Sequence, residues 1–313
     1  MIAGQPGPTL TVIGCVQADV VMSPVTDLPA PGGTLLTEQA AMRVGGAGAN
    51  AALAGVEAGM NVRLIGAIGD DQLGGWMREH LTPAGLADEL VVMSGDTTGM
   101  TVVLESPVRD RTFLTYLGVN ARWEPAMIPE DALACENLLV CDYFVMPLLR
   151  GEAAGRLLAA THAGGGRTFF DTTWDPEGFP GQTRAEVAAL LPFVDVFLPN
   201  ELEACALADR PGNAAQAARD LQQLSGGWVV VKLGPSGCLA VGPGEAEISV
   251  PAPVVAVEDT TGAGDAFNAG LILGLARGAS WPEALRQATG FATAIIARPS
   301  KERYRSVLTE VER

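Results

Sequence analysis

The run Glu258-Asp259-Thr260-Thr261-Gly262-Ala263-Gly264-Asp265-Ala266-Phe267-Asn268 sets an acid directly behind small, glycine-rich backbone and leads straight into an apolar helix. Gly262, Ala263 and Gly264 would leave the first amides of that helix bare. Unpaired N–H groups, reinforced by the helix dipole, form a pocket for phosphate oxygens. Asp265 then stands where a substrate hydroxyl must give up its proton. Phosphoryl transfer needs both parts, because it is mostly positioning and charge stabilisation, with one base taking the hydroxyl proton as the new bond to phosphorus forms. The same residues also read as a plain tight turn with an aspartate cap.

A second segment separates these readings. Val44-Gly45-Gly46-Ala47-Gly48-Ala49-Asn50 is another glycine-rich approach to a helix, and the apolar run Leu64-Ile65-Gly66-Ala67-Ile68 ends in Gly69-Asp70-Asp71. Together the two regions resemble the two signatures of the PfkB (ribokinase-like) family of carbohydrate kinases, in the expected order and more than two hundred residues apart. The resemblance spans nearly the whole chain. It implies a ribokinase-like three-layer α/β fold in one kinase domain, residues 1–313, with a mainly parallel central sheet flanked by helices and a small β-sheet lid. It also implies ATP, Mg2+ and a small-molecule sugar as ligands.

Site residues carry over one at a time. Asp19, ending Gly14-Cys15-Val16-Gln17-Ala18-Asp19, matches the family's acceptor for sugar hydroxyls, where an ionised carboxylate gives short, charge-assisted bonds. Gly45, Gly46 and Asn50 match its second sugar-contacting stretch. Ala47 stands where ribokinases and kinases of phosphorylated fructose carry lysine, which favours a free sugar over a sugar phosphate. Asn200 and Glu203 match an Asn-x-x-Glu pattern that organises nucleotide and magnesium, largely through water; taken alone they also read as a helix cap. Lys232, Gly234 and Gly237 match the strand-turn-strand that flanks ATP, with Asn268 beside the nucleotide. Lys232 also reads as a lysine snorkelling from a strand end. Asp259 and the Thr261 carbonyl would line a monovalent-cation site. Ile296 to Lys301 departs from the family there, being shorter and more basic than the glycine-containing loop that completes that site.

The elements that must position these residues show in the patterning. Short apolar runs alternate with helical stretches, as in a parallel sheet covered by helices. Residues 9–16, 61–68, 137–141, 167–171, 194–198 and 228–232 read as buried strands. Residues 49–58, 72–82, 151–163, 201–207, 214–224 and 266–276 read as helices. Gln17 to Gln39 and Thr97 to Gly118 break the alternation with β-type runs, which the resemblance implies are the lid; ordinary surface hairpins are the other reading. Val102, Leu104 and Leu114 alternate with smaller or polar neighbours, as a sheet with one buried face requires. That face must be covered either by sugar and the main domain or by the same sheet of a second subunit, and the resemblance implies the latter, a homodimer through the lid.

Composition bounds the rest. The chain has 313 residues, 48% of them hydrophobic, and a net charge of −16, which suits a soluble enzyme and opposes nucleic acid or anionic membrane as partner. Its 5 cysteines include no Cys-x-x-Cys pair, and no apolar run approaches a membrane span, so the expected location is the cytoplasm. There is no P-loop, no His-Glu-x-x-His and no Gly-x-Ser-x-Gly elbow. His80 and His162 lie within helical patterns and read as packing or surface residues. A nucleoside kinase of the same fold is the rival reading, with Phe113, Tyr116 and Trp123 offered as base stackers. A degenerate kinase fold that only binds sugar or a partner protein is opposed by the intact Asp265.

Overall fold

The computed structural model describes residues 7–106, 108, 111–257, 259–299 and 303–304. Arg109, Asp110, Glu258, Ser300 and Lys301 lie outside them. The apolar runs form an eight-stranded sheet. Its parallel members are β1 (Thr9–Ile13), β4 (Asn61–Ile65), β9 (Asn137–Val140), β10 (Arg167–Phe170), β11 (Val196–Phe197) and β12 (Trp228–Lys232). The antiparallel β13 (Cys238–Gly242) and β14 (Ala246–Val250) extend one edge, giving the order β14-β13-β12-β11-β10-β9-β1-β4.

Alternation along the strands fills two cores, as a sheet covered on both faces requires. Leu10, Val12, Leu64, Leu139, Phe169 and Val230 share one core with helices α1 (Ala47–Glu57), α2 (Gln72–Leu81), α7 (Ala263–Ala276) and α8 (Trp281–Ile296). Ile13, Ile65, Val140, Phe170, Phe197 and Val231 fill the other with α3 (Glu152–Ala163), α4 (Gly181–Leu190), α5 (Glu201–Leu207) and α6 (Ala214–Ser225).

A four-stranded sheet stands apart from this sandwich, in the order β3 (Gln39–Gly45), β2 (Gln17–Ser23), β7 (Gly99–Leu104), β8 (Thr112–Tyr116). Its first segment therefore runs past Gln39 to Gly45, and no strand lies in residues 24–38. A short parallel pair, β5 (Ala67–Gly69) with β6 (Val91–Met93), completes the strands among the described residues.

The sheet order reverses at β1: β4 flanks it on one side, and β9, later in the chain, on the other. In open α/β sheets ligands bind beyond the carboxyl ends of the strands at such a switch point. Gly14 and Cys15 follow β1 there, Asp142 follows β9 and Asp171 follows β10.

Candidate active site

Asp142 ties the switch point together. Its carboxylate accepts from the Cys15 and Gly48 amides, both at 2.9 Å, and so caps the start of α1 from a distant part of the chain. Burial pushes its carboxyl up to about 7 against the pull of those amides. Asp171 accepts from Lys232 Nζ at 2.5 Å and from Asn268 Nδ2 at 2.6 Å. Lys232, the last residue of β12, and Asn200, which caps α5 just beyond β11, face one another as bridge partners.

Asp265 lies in the first turn of α7 beside this cluster. Its carboxyl is raised well above the ordinary range, first by burial and then by the charges of Asp171 and Asp142, while Lys232 and a hydrogen bond from Asn50 oppose the shift. Gly262 caps the helix in the left-handed region, φ 76°, where a side chain would be strained. The bare-amide expectation holds for part of the turn. The Ala263 amide donates to the Thr260 carbonyl at 3.1 Å, whereas those of Gly262, Gly264 and Asp265 meet no acceptor among the described residues.

Asp19 sits on β2, paired across the small sheet with Arg43 and Thr101. Burial lifts its carboxyl to about 6 against a bond from Gln17 and the charges of Arg43 and Arg111. Gly45 and Gly46 come next to it, but as packing positions. A side chain at Gly45 would overlap the Asp19 carboxyl, and one at Gly46 would meet the Cys15 carbonyl. Asp19, Arg43, Asn50, Thr261 and Tyr304 line a cleft of about 790 Å³. A second cleft, of about 460 Å³, is lined by Lys232, Gly234, Gly237, Gly264 and Phe267 with apolar Val254, Val255 and Ile296. The turn before α7 serves both: Thr261 faces the first, and Thr260, Ala263 and Gly264 the second.

Four of the expected residues already hold protein partners. Asn268, expected at the nucleotide, is fully buried and acts by donating to Asp171. Asn200 and Glu203 form a reciprocal capping box at the start of α5, so both Glu203 oxygens accept from Asn200, at 2.7 and 2.9 Å. Glu203 is also pushed upward, first by burial and then by Asp171. Asp259 is ringed by the guanidinium groups of Arg43, Arg111 and Arg303, at 2.8, 3.3 and 3.3 Å. Burial pulls against it, but the Thr261 hydroxyl and amide with Arg303 and Arg43 hold its carboxyl down at about 2.

Magnesium fits this site as a hydrated ion. Among the described residues no group of His, Cys, Asp or Glu side chains is arranged to hold a metal directly. Asp171, Glu203 and Asp265 nonetheless gather around Lys232, with Asp142 close to Asp171 and Asp265. That surplus of negative charge suits a cation bound chiefly through water and phosphate.

Asp142, Asp171, Arg43 and Arg303 carry no motif that marks them in the sequence. For the two aspartates the signal is an acid placed directly after a buried strand in a parallel sheet.

The pfkB family carbohydrate kinase profile matches residues 9–303. A ribokinase of Haemophilus influenzae is 28% identical over 311 residues, covering 97% of this chain and 96% of the relative. A 1-phosphofructokinase of Rhodobacter capsulatus is 30% identical over 259 residues, 79% of this chain and 78% of the relative. Arabidopsis thaliana ribokinase, solved with ribose and ATP, superposes with a TM-score of 0.79 at 25% identity over 96% of this chain and 99% of that one. Because that profile covers nearly the whole chain, this protein belongs to the pfkB family of carbohydrate kinases.

Proposed function

We propose that the protein transfers the terminal phosphoryl group of ATP to a hydroxyl of a small free sugar or sugar acid, of the ribose, fructose or ketodeoxygluconate type, with Asp265 as general base. The observation that carries this reading is the shared turn. A hydroxyl held from the Asp19 side and a phosphate held at Gly264 and Lys232 would approach one another across the turn that leads into Asp265. The acceptor oxygen bonds to the terminal phosphorus as the bond from phosphorus to the bridging oxygen breaks. The hydroxyl proton passes to Asp265, and ADP leaves with the bridging oxygen's electron pair. A raised carboxyl suits this task, since it holds the proton it receives. The amides of Gly262 and Gly264 face charge on the moving phosphoryl group. Asp171 and Glu203 would hold magnesium through water, and the ion, bound with the nucleotide, would neutralise phosphate charge.

A free acceptor is supported by charge. Arg43 and Arg111, the cations nearest Asp19, are paired with Asp259, and Ala47 adds none. The nucleoside reading has less support, because Trp123 is fully buried and Tyr116 pairs with Met100 on the face away from Asp19; of the proposed stackers only Phe113 shares the cleft side.

The small sheet acts in this reading as a lid. Its outer face carries Val102 opposite Leu114, with Leu114, Tyr116 and Met42 exposed at 54%, 53% and 42%. Covering that face by the same sheet of a second subunit gives a two-fold dimer, and closure over sugar excludes water as a competing acceptor. Five unpaired thiols fit a reducing compartment, the cytoplasm. No helix among the described residues is long and apolar enough to cross a membrane.

A coupled assay for ADP, run over pentoses, hexoses, sugar acids, sugar phosphates and nucleosides, tests the reading. Sugar-dependent ADP release with a free sugar or sugar acid is the expected outcome. Turnover only with a sugar phosphate or a nucleoside overturns the assignment of substrate, and none with any acceptor overturns the reading itself.

A further inference from the structure

The monovalent cation expected beside Asp259 does not fit here, because its oxygen donors already hold a buried side chain. Arg303 donates from Nη2 to the Asp259 carbonyl at 2.7 Å and from Nη1 to the Thr261 carbonyl at 2.6 Å. Nη1 also lies 3.3 Å from the Asp259 carboxylate. Two backbone carbonyls and a carboxylate are the kind of oxygen shell a bare cation takes. The guanidinium fills it with a permanent charge and a rigid fork of donors. An added ion would have to displace a group that is 7% exposed.

We propose that Arg303 is a built-in cation, a positioning residue that fixes the turn before α7 and makes this kinase independent of potassium. The inference rests on the phosphate-binding role proposed for that turn. Its physical basis is the planar trans peptide, in which carbonyl and following N–H point in opposite directions. Drawing the Thr261 carbonyl onto Arg303 therefore turns the Gly262 amide away from Arg303. That amide is one of those with no acceptor among the described residues. The Asp259 carbonyl, held by the same guanidinium, fixes the turn at its other end. Asp259 adds its own brace by accepting from the Thr261 amide at 2.8 Å. Arg303 is in turn anchored, since Arg298 donates to its carbonyl at 3.0 Å and to Glu57 of α1 at 2.7 Å. A side chain brought in from 42 residues downstream thus does locally what a diffusible ion would otherwise do.

The test compares potassium chloride with choline chloride at equal ionic strength, reading turnover, affinity for a nonhydrolysable ATP analogue by calorimetry, and thermal unfolding. The wild-type protein should agree within about twofold in turnover and affinity between the two salts, with no potassium-specific rise in melting temperature. Arg303→Ala should weaken the analogue by at least about tenfold and lower turnover at least as much. Added guanidinium or potassium ion should restore at least part of both in that variant and neither in wild type. Arg303→Lys, which keeps a charge with a different donor geometry, should fall between the two. Strong potassium activation or stabilisation of wild type overturns the proposal, and so does an Arg303→Ala protein that binds and turns over normally. If the alanine variant does not fold, the wild-type salt comparison decides alone. If no sugar is phosphorylated, the proposed function fails, while analogue affinity and melting temperature still decide the role of Arg303.

Discussion

Gly45→Ala places a methyl group where the Asp19 carboxyl already sits. A Cβ built there lies 2.2 Å from Cγ, 2.3 Å from Oδ1 and 2.4 Å from Oδ2 of Asp19. Comfortable contacts are about 3.5 Å, so the overlap is about 1 Å and something must move. Gly45 is strand backbone in β3, where alanine is unstrained, so the effect is steric. Asp19 is the part able to yield, by swinging out of its place beside Gln17 and Arg43. Losing one charge-assisted bond to a sugar hydroxyl is worth about 1.5–3 kcal/mol. That corresponds to roughly a 10- to 150-fold rise in the dissociation constant. The fold itself should lose at most about 2 kcal/mol, since local strain is offset by the lower entropy of the unfolded alanine chain. Calorimetry with the cognate sugar, and separately with an ATP analogue, reads the effect, and a cycle with Asp19→Ala isolates it. In the Asp19→Ala background the methyl has room, so Gly45→Ala should add almost nothing. Equal losses in both backgrounds, or a matching loss for nucleotide, refute the argument.

Asp19→Ala alone should weaken sugar by a similar factor and leave ATP-analogue binding intact, as calorimetry can show. Because the Asp19 carboxyl titrates near 6 in the fold against 3.8 ordinarily, sugar affinity measured without nucleotide should fall as pH drops through about 6. The linked stability runs the other way: the fold favours the protonated form, so the contribution is full below the unfolded value and is lost as pH rises from 3.8 to about 6. Asp171→Ala should lower stability by about 1–3 kcal/mol in urea unfolding, because it removes the acceptor of the buried Asn268 amide along with one partner of Lys232; an unchanged midpoint refutes this. Leu114→Glu, on the outer face of the lid, should give a monomer mass by light scattering; a dimer that survives it places the interface elsewhere.

The strands were legible because each is a short run buried on both faces, and β1, β4, β9, β10 and β12 begin at the residue where the apolar run begins. Helix α8 was not. Its buried stripe is Ala284, Leu285, Ala288, Thr289, Ala292, Thr293 and Ile295, mostly small residues that give little contrast in hydropathy. The reason for small residues is visible only in space: a side chain at Gly270 or Gly274 of α7 would lie 2.9 or 3.0 Å from Ala288 or Ala284. Within the site, the glycine turn and Asp265 announce themselves because glycine, acid and helix are consecutive. The partners of Asp259 do not, since Arg43, Arg111 and Arg303 reach it across separations of 216, 148 and 44 residues. Spacing could not show that a carbonyl pair suited to an ion would be filled by a guanidinium from the far end of the chain.

The central claim is that Asp265 accepts the hydroxyl proton over the turn shared by the two clefts. Single-turnover and steady-state kinetics of Asp265→Asn, with sugar and ATP-analogue affinities measured alongside, test it most directly. The account predicts affinities within several-fold of wild type and turnover lower by at least ~10²-fold, the scale of a lost general base. It also predicts, for wild type, an acid limb in kcat/KM lying above the ordinary carboxylate range, as the raised Asp265 carboxyl requires. Turnover of the asparagine variant at the wild-type rate would contradict the account and send the search for the base elsewhere.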